Sequence, residues 1–580
     1  MFALPTMADA AQPAPKSRNP YDRSIVEGPI GPAVWKLAWP TMLQNVVAGL
    51  QGVVDHILVG NLIGYTANAA IGISWQIFLV VIVFMASLFT GQAVLVARFV
   101  GANQPEKVNR TVFQAFLTAV AMFAVMGPFG YFAAPYLLDL VNAAPEVKAQ
   151  ALPFLRINFS FSIGMMLFFM LSTALRAAGD ARTPLRLGVS MTVLNLALNL
   201  VLVPRFGTTG SAMGTVTASG LVSAVALYML FKGKLVVRFS HDMDFKPDWA
   251  IIRSLFRFGL PTGVQGIAMN VAGVLLLRFI GSLEQSAAAQ AAFAIGYTEL
   301  FSLITWTSVG LMGAAATVAG QNLGAGHADR AMQGVRTASR IGLWVAFTVG
   351  LAFVVAPHFL LGLFGANEAE VARLGEELLQ YLAVSGFFIT VALTYTGGLQ
   401  GTGDTRSPLY ITLASQIAVP IGLCFAIQAM RPLEATDIWT AIVLGHFTRA
   451  LLTFLRFRQG RWRQIKVEIE GQGPRKCRVP GAGVPGAVRS ALCGGRVPSA
   501  GGGCRVRVPG HAALTFAGTP YTHTAHSTRT PHSEHAPRTH TRTPHPPPPP
   551  RSAHPAPPLR TRHPAPAPGT PAPCTQHDRM

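Results

Sequence analysis

A chain whose apolar runs each match the thickness of a bilayer has few folds open to it. From about residue 30 onward the sequence falls into twelve such runs, near 33–60, 67–97, 110–132, 152–176, 184–204, 211–232, 255–282, 288–320, 335–358, 378–400, 408–430 and 436–457. Roughly 20 helical residues cross a hydrocarbon core. Backbone groups in hydrocarbon must bond internally, and runs of this length do so as helices. Prolines interrupt several runs, as at Pro40, Pro261 and Pro420. Membrane helices tolerate them when neighbours satisfy the freed carbonyls. A soluble helical core would need polar faces between the runs, and these are missing.

The composition agrees. Charged residues make up 12% of the chain, against about 25% in soluble domains. The net charge of +21 is mostly a property of the end of the chain: residues 461–580 hold 17 Lys and Arg against 4 Asp and Glu. That distribution argues against nucleic-acid binding by the body. Only Cys424 precedes residue 461, so neither a disulfide framework nor a cysteine metal site is expected there. Residues 1–29 are polar and rich in Pro and Ala, without a cleavable leader pattern, and read as a disordered cytoplasmic tail. Residues 460–580 are rich in Pro, His, Arg and Thr and are expected to be disordered.

Loop charges give the orientation, since Lys and Arg favour the cytoplasmic side. One set of loops carries Lys16, Arg18 and Arg23, then Arg98, Lys107 and Arg110, then Arg176, Arg182 and Arg186, and continues through Lys232–Arg253, Arg330–Arg340, Arg406, Arg456 and Arg458. The alternate loops are acidic or nearly neutral. A multi-pass protein of the cytoplasmic (inner) membrane follows, with an even number of spans and both termini in the cytoplasm.

The sequence also repeats. Leu175-Arg176-Ala177-Ala178-Gly179-Asp180-Ala181-Arg182-Thr183-Pro184-Leu185 returns 224 residues later as Leu399 to Leu409, with six of eleven positions identical. Pro40-Thr41 with Gln44 returns as Pro261-Thr262 with Gln265, and Gly101-Ala102 returns as Gly324-Ala325, at spacings of 221 and 223. The body therefore divides into a six-helix lobe over 30–235, a cytoplasmic linker over 236–254 and a second six-helix lobe over 255–459. Six is even, so both lobes enter from the same side, and their pseudo-two-fold axis runs along the membrane normal. The cleft between such lobes is the natural place for a substrate.

These features resemble the multidrug and toxic compound extrusion (MATE) family of secondary transporters. The resemblance is carried by Leu37-Ala38-Trp39-Pro40, Val54-Asp55-His56-Ile57-Leu58-Val59-Gly60, Ala97 to Ala102, Leu175 to Pro184 with Asn195 and Asn199, and Ala319 to Ala325. It covers about 33–458. It implies an all-α, twelve-helix, two-lobe fold and cation-coupled export of small organic, often cationic, compounds. A monomer in the lipid bilayer is expected, with no cofactor beyond the coupling ion.

Asp55 is the only carboxylate in the first run, and a charge in hydrocarbon costs at least a few kcal/mol. Such a group suits proton uptake and release, and the resemblance gives the matching aspartate a cation-coupling role. An alternative places it in water at the helix end. Asn195 and Asn199 share a helix face and could meet Asp55 or serve only as interhelical glue. Where the family often has a second acid, this chain has Asn199, which favours protons over sodium. Gln44, Asn158 and Thr217 are further candidates for the same polar pocket. Glu299 is the one acid well inside a run of the second half, a candidate for substrate contact. No ATP-binding loop, metal-ligand motif or nucleophile elbow occurs, so neither catalysis nor a metal site is expected. The alternative within the same architecture is a flippase for lipid-linked or polysaccharide precursors, which would line the cleft with several basic residues.

Overall fold

The computed structural model describes residues 21–465 apart from 142, 240–242, 244 and 366–367, together with 467 and three short strands beyond it. The body is all helix: α1 (Ile30–Leu62), α2 (Tyr65–Gly101), α3 (Pro105–Leu140), α4 (Pro145–Ser160), α5 (Ile163–Ala177), α6 (Arg182–Phe231), α7 (Trp249–Ile280), α8 (Ser286–Gly324), α9 (Ala328–Val355), α10 (Ala369–Thr402), α11 (Arg406–Gln428) and α12 (Ala435–Arg458). Three of these depart from one helix per span. α4 and α5 meet at a 53° bend and together make a single broken span. α6 is 50 residues long, about 75 Å if straight, far more than a bilayer needs. It doubles back at Gly207, whose φ of 63° and ψ of −140° only glycine adopts readily. Counted this way, the described residues hold the twelve spans expected.

The repeat in the sequence is a repeat in space. α1 packs along α8, and its counterpart α7 packs along α2. Thr41 Oγ1 donates to Gly310 O (2.9 Å), while its mate Thr262 lies 3.5 Å from Ser87 O. α2 and α8 cross at backbone distance. A Cβ on Gly101 would sit 1.9 Å from Gln321 O, and one on its mate Gly324 would sit 2.2 Å from Arg98 O. Gln321 and Arg98 are themselves mates at the same spacing of 223. A two-fold exchange of lobes explains all four contacts.

The folded body extends past both expected tail boundaries. Residues 21–29 belong to it: Ile25 is fully buried, its carbonyl accepts from Asn322 (3.2 Å), and Arg330 donates to Gly28 O. At the other end, the turn Arg461–Gln464 buries Trp462. Its ring stacks on Phe457 at 4.8 Å and its indole N–H donates to Phe457 O (2.7 Å). Arg463 also pairs with Asp329 (2.8 Å). Apolar side chains at positions 25, 26 and 462 are the physical reason: each buries an anchor that the surrounding polar composition obscures. Both ends of the body thus lie at one end of the bundle. Residues 478–580 form a separate unit in which β1 (Val497–Pro498), β2 (Cys504–Val506) and β3 (Leu514–Thr515) pair antiparallel in that order. The expectation of disorder in this segment otherwise falls outside the described residues.

Gly101→Val should push α2 off α8 and destabilise the protein by roughly 1–3 kcal/mol, the usual cost of overpacking. Gly31→Ala, where nothing lies within 4 Å, should leave stability unchanged or slightly raised. Thermal unfolding of the purified protein separates the two; equal melting temperatures would contradict the crossing.

Candidate functional site: a polar network in the first lobe and a cavity between lobes

α1 presents Gln51 and Asp55, one turn apart, to the first arm of α6. That arm answers with Thr192, Asn195 and Asn199, which recur at helical spacing on one face. Asn199 Nδ2 donates to Asp55 Oδ1 (2.9 Å) and lies 3.3 Å from Asn195 Oδ1. Gln51 Nε2 donates to the same Asn195 oxygen (3.1 Å), and Thr192 donates to Gln51 Oε1 (2.7 Å). Asn195 Nδ2 in turn donates to Thr215 on the returning arm of α6 (3.2 Å). Asn195 and Asn199 are almost wholly buried and Asp55 is partly so. The half-buried carboxylate therefore bonds the Asn199 amide directly and meets Asn195 only through it. Asn199 Oδ1 has no partner among the described residues and rests against Gly214, where a Cβ would come within 2.0 Å of it.

The other expected pocket residues lie elsewhere. Thr217 is exposed; two residues along a helix turn a side chain about 200° away, and Thr215 holds the inward position instead. Asn158 is buried but donates to Phe154 O (3.0 Å), four residues back on its own helix. Gln44 lies two turns from Gln51 and accepts from Arg176 Nη1 (3.2 Å). Glu299 sits in a π-helical stretch of α8 (Ala294–Leu300) and makes no side-chain hydrogen bond or ion pair among the described residues. His56 points away from the network and pairs with Asn68 of α2.

A cavity of about 190 Å³ lies between the lobes. The first lobe contributes Thr41, Asn45, Thr90 and Arg176, and the second Thr317 and Gln400. Arg176 is the one charged side chain on its wall. It closes an apolar run and so reads as a loop arginine, yet the packing of the lobes half-buries it. Its guanidinium bonds Gln44 and Thr173 (3.2 and 3.3 Å) and no carboxylate among the described residues. The mate of Arg176 is Gln400, which donates to Gln265, the mate of Gln44, at 3.3 Å. The same contact is built twice, with a charge in one lobe only. In the second lobe, α12 buries His446 and Arg449; His446 bonds Ser385, and Arg449 Nε has no partner. A charge inside an apolar run was the signal for Arg449. Among the described residues, no three His, Cys, Asp or Glu side chains converge.

Two pseudo-symmetric six-helix lobes around a central cavity, with irregular helices near it, are the architecture of a parallel-repeat secondary transporter. The sequence profile named MatE matches residues 40–201 and 261–426, and the chain belongs to that family. A probable multidrug resistance protein NorM from Thermotoga maritima is 26% identical over 447 residues, covering 74% of this chain and 93% of that one. A probable multidrug resistance protein YpnP from Bacillus subtilis is 27% identical over 440 residues, covering 74% and 95%. A solved outward-facing multidrug resistance MATE family transporter of the MOP superfamily superposes with a TM-score of 0.71 at 22% identity, covering 76% of this chain and 98% of that chain.

Gly214→Ala should displace the Asn199 amide and cost roughly 1–3 kcal/mol, whereas Thr217→Ala should stay within about 0.5 kcal/mol of the parent. Thermal unfolding of both variants tests the assignment, and a matching loss at Thr217 would undo it.

Proposed function

We propose that this protein is a proton-coupled antiporter that exports small organic compounds across the cytoplasmic membrane by alternating access of its two lobes. The observation that carries the reading is the hydrogen bond from Asn199 to Asp55, which holds the sole acid of α1 among amides inside the first lobe. The names of the relatives, multidrug resistance proteins, support export of foreign organic molecules. Both termini lie in the cytoplasm, so the end where α2 and α8 cross is the cytoplasmic gate.

An ionised Asp55 accepts from Asn199. Taking up a proton removes an acceptor and adds an O–H donor, so the bond to Asn199 loses its charge assistance. The protonated acid then suits the unpartnered Asn199 oxygen better than the amide N–H. The swap reorders the contacts of Gln51, Asn195 and Thr215 that tie α1 to both arms of α6. One carboxylate suffices for a proton, whereas a sodium ion needs several oxygen ligands, and the Asn195 and Gln51 amide oxygens already accept hydrogen bonds. The flippase alternative calls for several basic side chains in the cleft, and the cavity has one.

In reconstituted vesicles, Asp55→Asn should reduce pH-driven export of an organic dye to the level of empty vesicles. A sodium gradient without a pH difference should drive nothing in the parent. Undiminished flux through the Asn variant would refute the coupling role.

A further inference from the structure

The cavity between the lobes differs electrically from what a cation exporter would offer. No acidic side chain among the described residues lines it, and Arg176 brings a full positive charge. A guanidinium withdrawn from water needs an anion or a complete set of acceptors. Here Gln44 and Thr173 supply two acceptors for five N–H groups. Arg176 is only half-buried and lines the cavity, so the donors that Gln44 and Thr173 leave unused are available to a guest there. Thr41, Thr90 and Thr317 stand around them but give their hydroxyl protons to backbone carbonyls, and Asn45 has one amide N–H committed to Thr41 O, so the guanidinium is the main donor left for a guest. The mate position, Gln400, keeps the same contact geometry without the charge, so the charge is not needed to build the lobe.

We infer that Arg176 makes the floor of the inter-lobe cavity a subsite for an anionic group (a carboxylate, sulfonate or phosphate) on the molecule being exported. A volume of about 190 Å³ holds such a group with a short stretch of its carrier, not a whole drug-sized molecule, which typically takes 300 Å³ or more. The remainder of the substrate extends up the cleft. Arg recognises planar oxyanions through paired N–H donors, and both lobes touch the bound group, so its presence is felt on each side of the rocking interface. This inference deepens the export reading and rests on it for the word substrate, but not for binding.

The test uses the purified full-length protein and two fluorescent probes, the anion carboxyfluorescein and the cation ethidium, with anisotropy as the readout. The parent should bind the anion, and Arg176→Gln should weaken it by roughly 10- to 100-fold, the range for losing hydrogen bonds to a charged group. Arg176→Lys should retain part of the affinity. Thr90→Asp, which leaves Arg176 in place but gives it an internal carboxylate, should also lose the anion. A melting temperature and ethidium response like the parent's show that each variant is folded. A short-chain phosphatidylglycerol, added as competitor, separates the two sources of the anionic group: displacement by it but not by a soluble sulfonate identifies a lipid headgroup, and the reverse identifies a soluble anion. If the parent fails to bind the anion, or the Gln variant binds it as well as the parent, the subsite is overturned. If vesicles move ethidium but neither bind nor move the anion, the exporter stands and the subsite falls. If the anion binds through Arg176 but no gradient moves it, the subsite stands and the export reading falls.

Discussion

Two helices can cross at backbone distance only where at least one of them has no side chain, and this molecule is organised around such crossings. Gly101 on Gln321 and Gly324 on Arg98 bring α2 and α8 together at the end of the bundle that holds both ends of the body. In hydrocarbon there is little hydrophobic force between helices, so close packing of small residues carries the association. The crossing fixes how near the lobes approach. It thereby sets the floor of the cavity, places Arg176 in its wall and leaves α1 and α7 lying against the opposite lobe.

Much of this was written in the residue pattern, and the physics says which part. The demand for about 20 apolar residues per span is severe, so the twelve runs and the two-fold repeat could be read directly. The contact between Asp55 and Asn199 was within reach of helical spacing and the cost of lone polar groups in oil, whereas Asn195 bonds Gln51 and Thr215 instead. The misses have a common cause: they depend on the phase or the neighbours of a helix, not on its composition. Thr215 rather than Thr217 faces inward because the turn at Gly207 sets the rotation of the returning arm. Gln51 went unnoticed because nothing in a single glutamine says that it bridges Asp55's helix to Asn195. Arg176 looked like a loop residue because an apolar run ends there, and only the second lobe shows that the end is enclosed. Ile25 and Trp462 are anchors within segments whose overall composition reads as tail.

Buried charge is therefore the more informative reading of this sequence than net charge. The body's arginines fall into two groups that counting cannot separate. Most sit at helix ends, where positive charge orients the chain. Arg176 and Arg449 instead lie inside the bundle without a carboxylate partner among the described residues. Arg449 is buried and bears a desolvation cost of several kcal/mol, while Arg176 is half-buried in the cavity wall. Stability alone gives no reason for it, since Gln400 shows that the corresponding contact forms with a neutral amide.

In the proposed antiport, α1 would be the physical carrier of coupling. Gln44, Gln51 and Asp55 fall on one stripe of that helix, eleven residues and about 16 Å from end to end. At one end Gln44 holds Arg176 in the cavity wall; at the other Asp55 holds Asn199 of α6. Pro40, inside α1 just before this stripe, removes a backbone hydrogen bond where a small change of angle is least costly. A proton at Asp55 alters what α1 gains by lying against α6, and a bound anion at Arg176 alters what Gln44 gains from its partner. Both contacts lie on the same helix, and in the proposed antiport any coupling through it would change each affinity by an equal factor. Exchange of a proton for a substrate needs no longer a chain of contacts than this one helix.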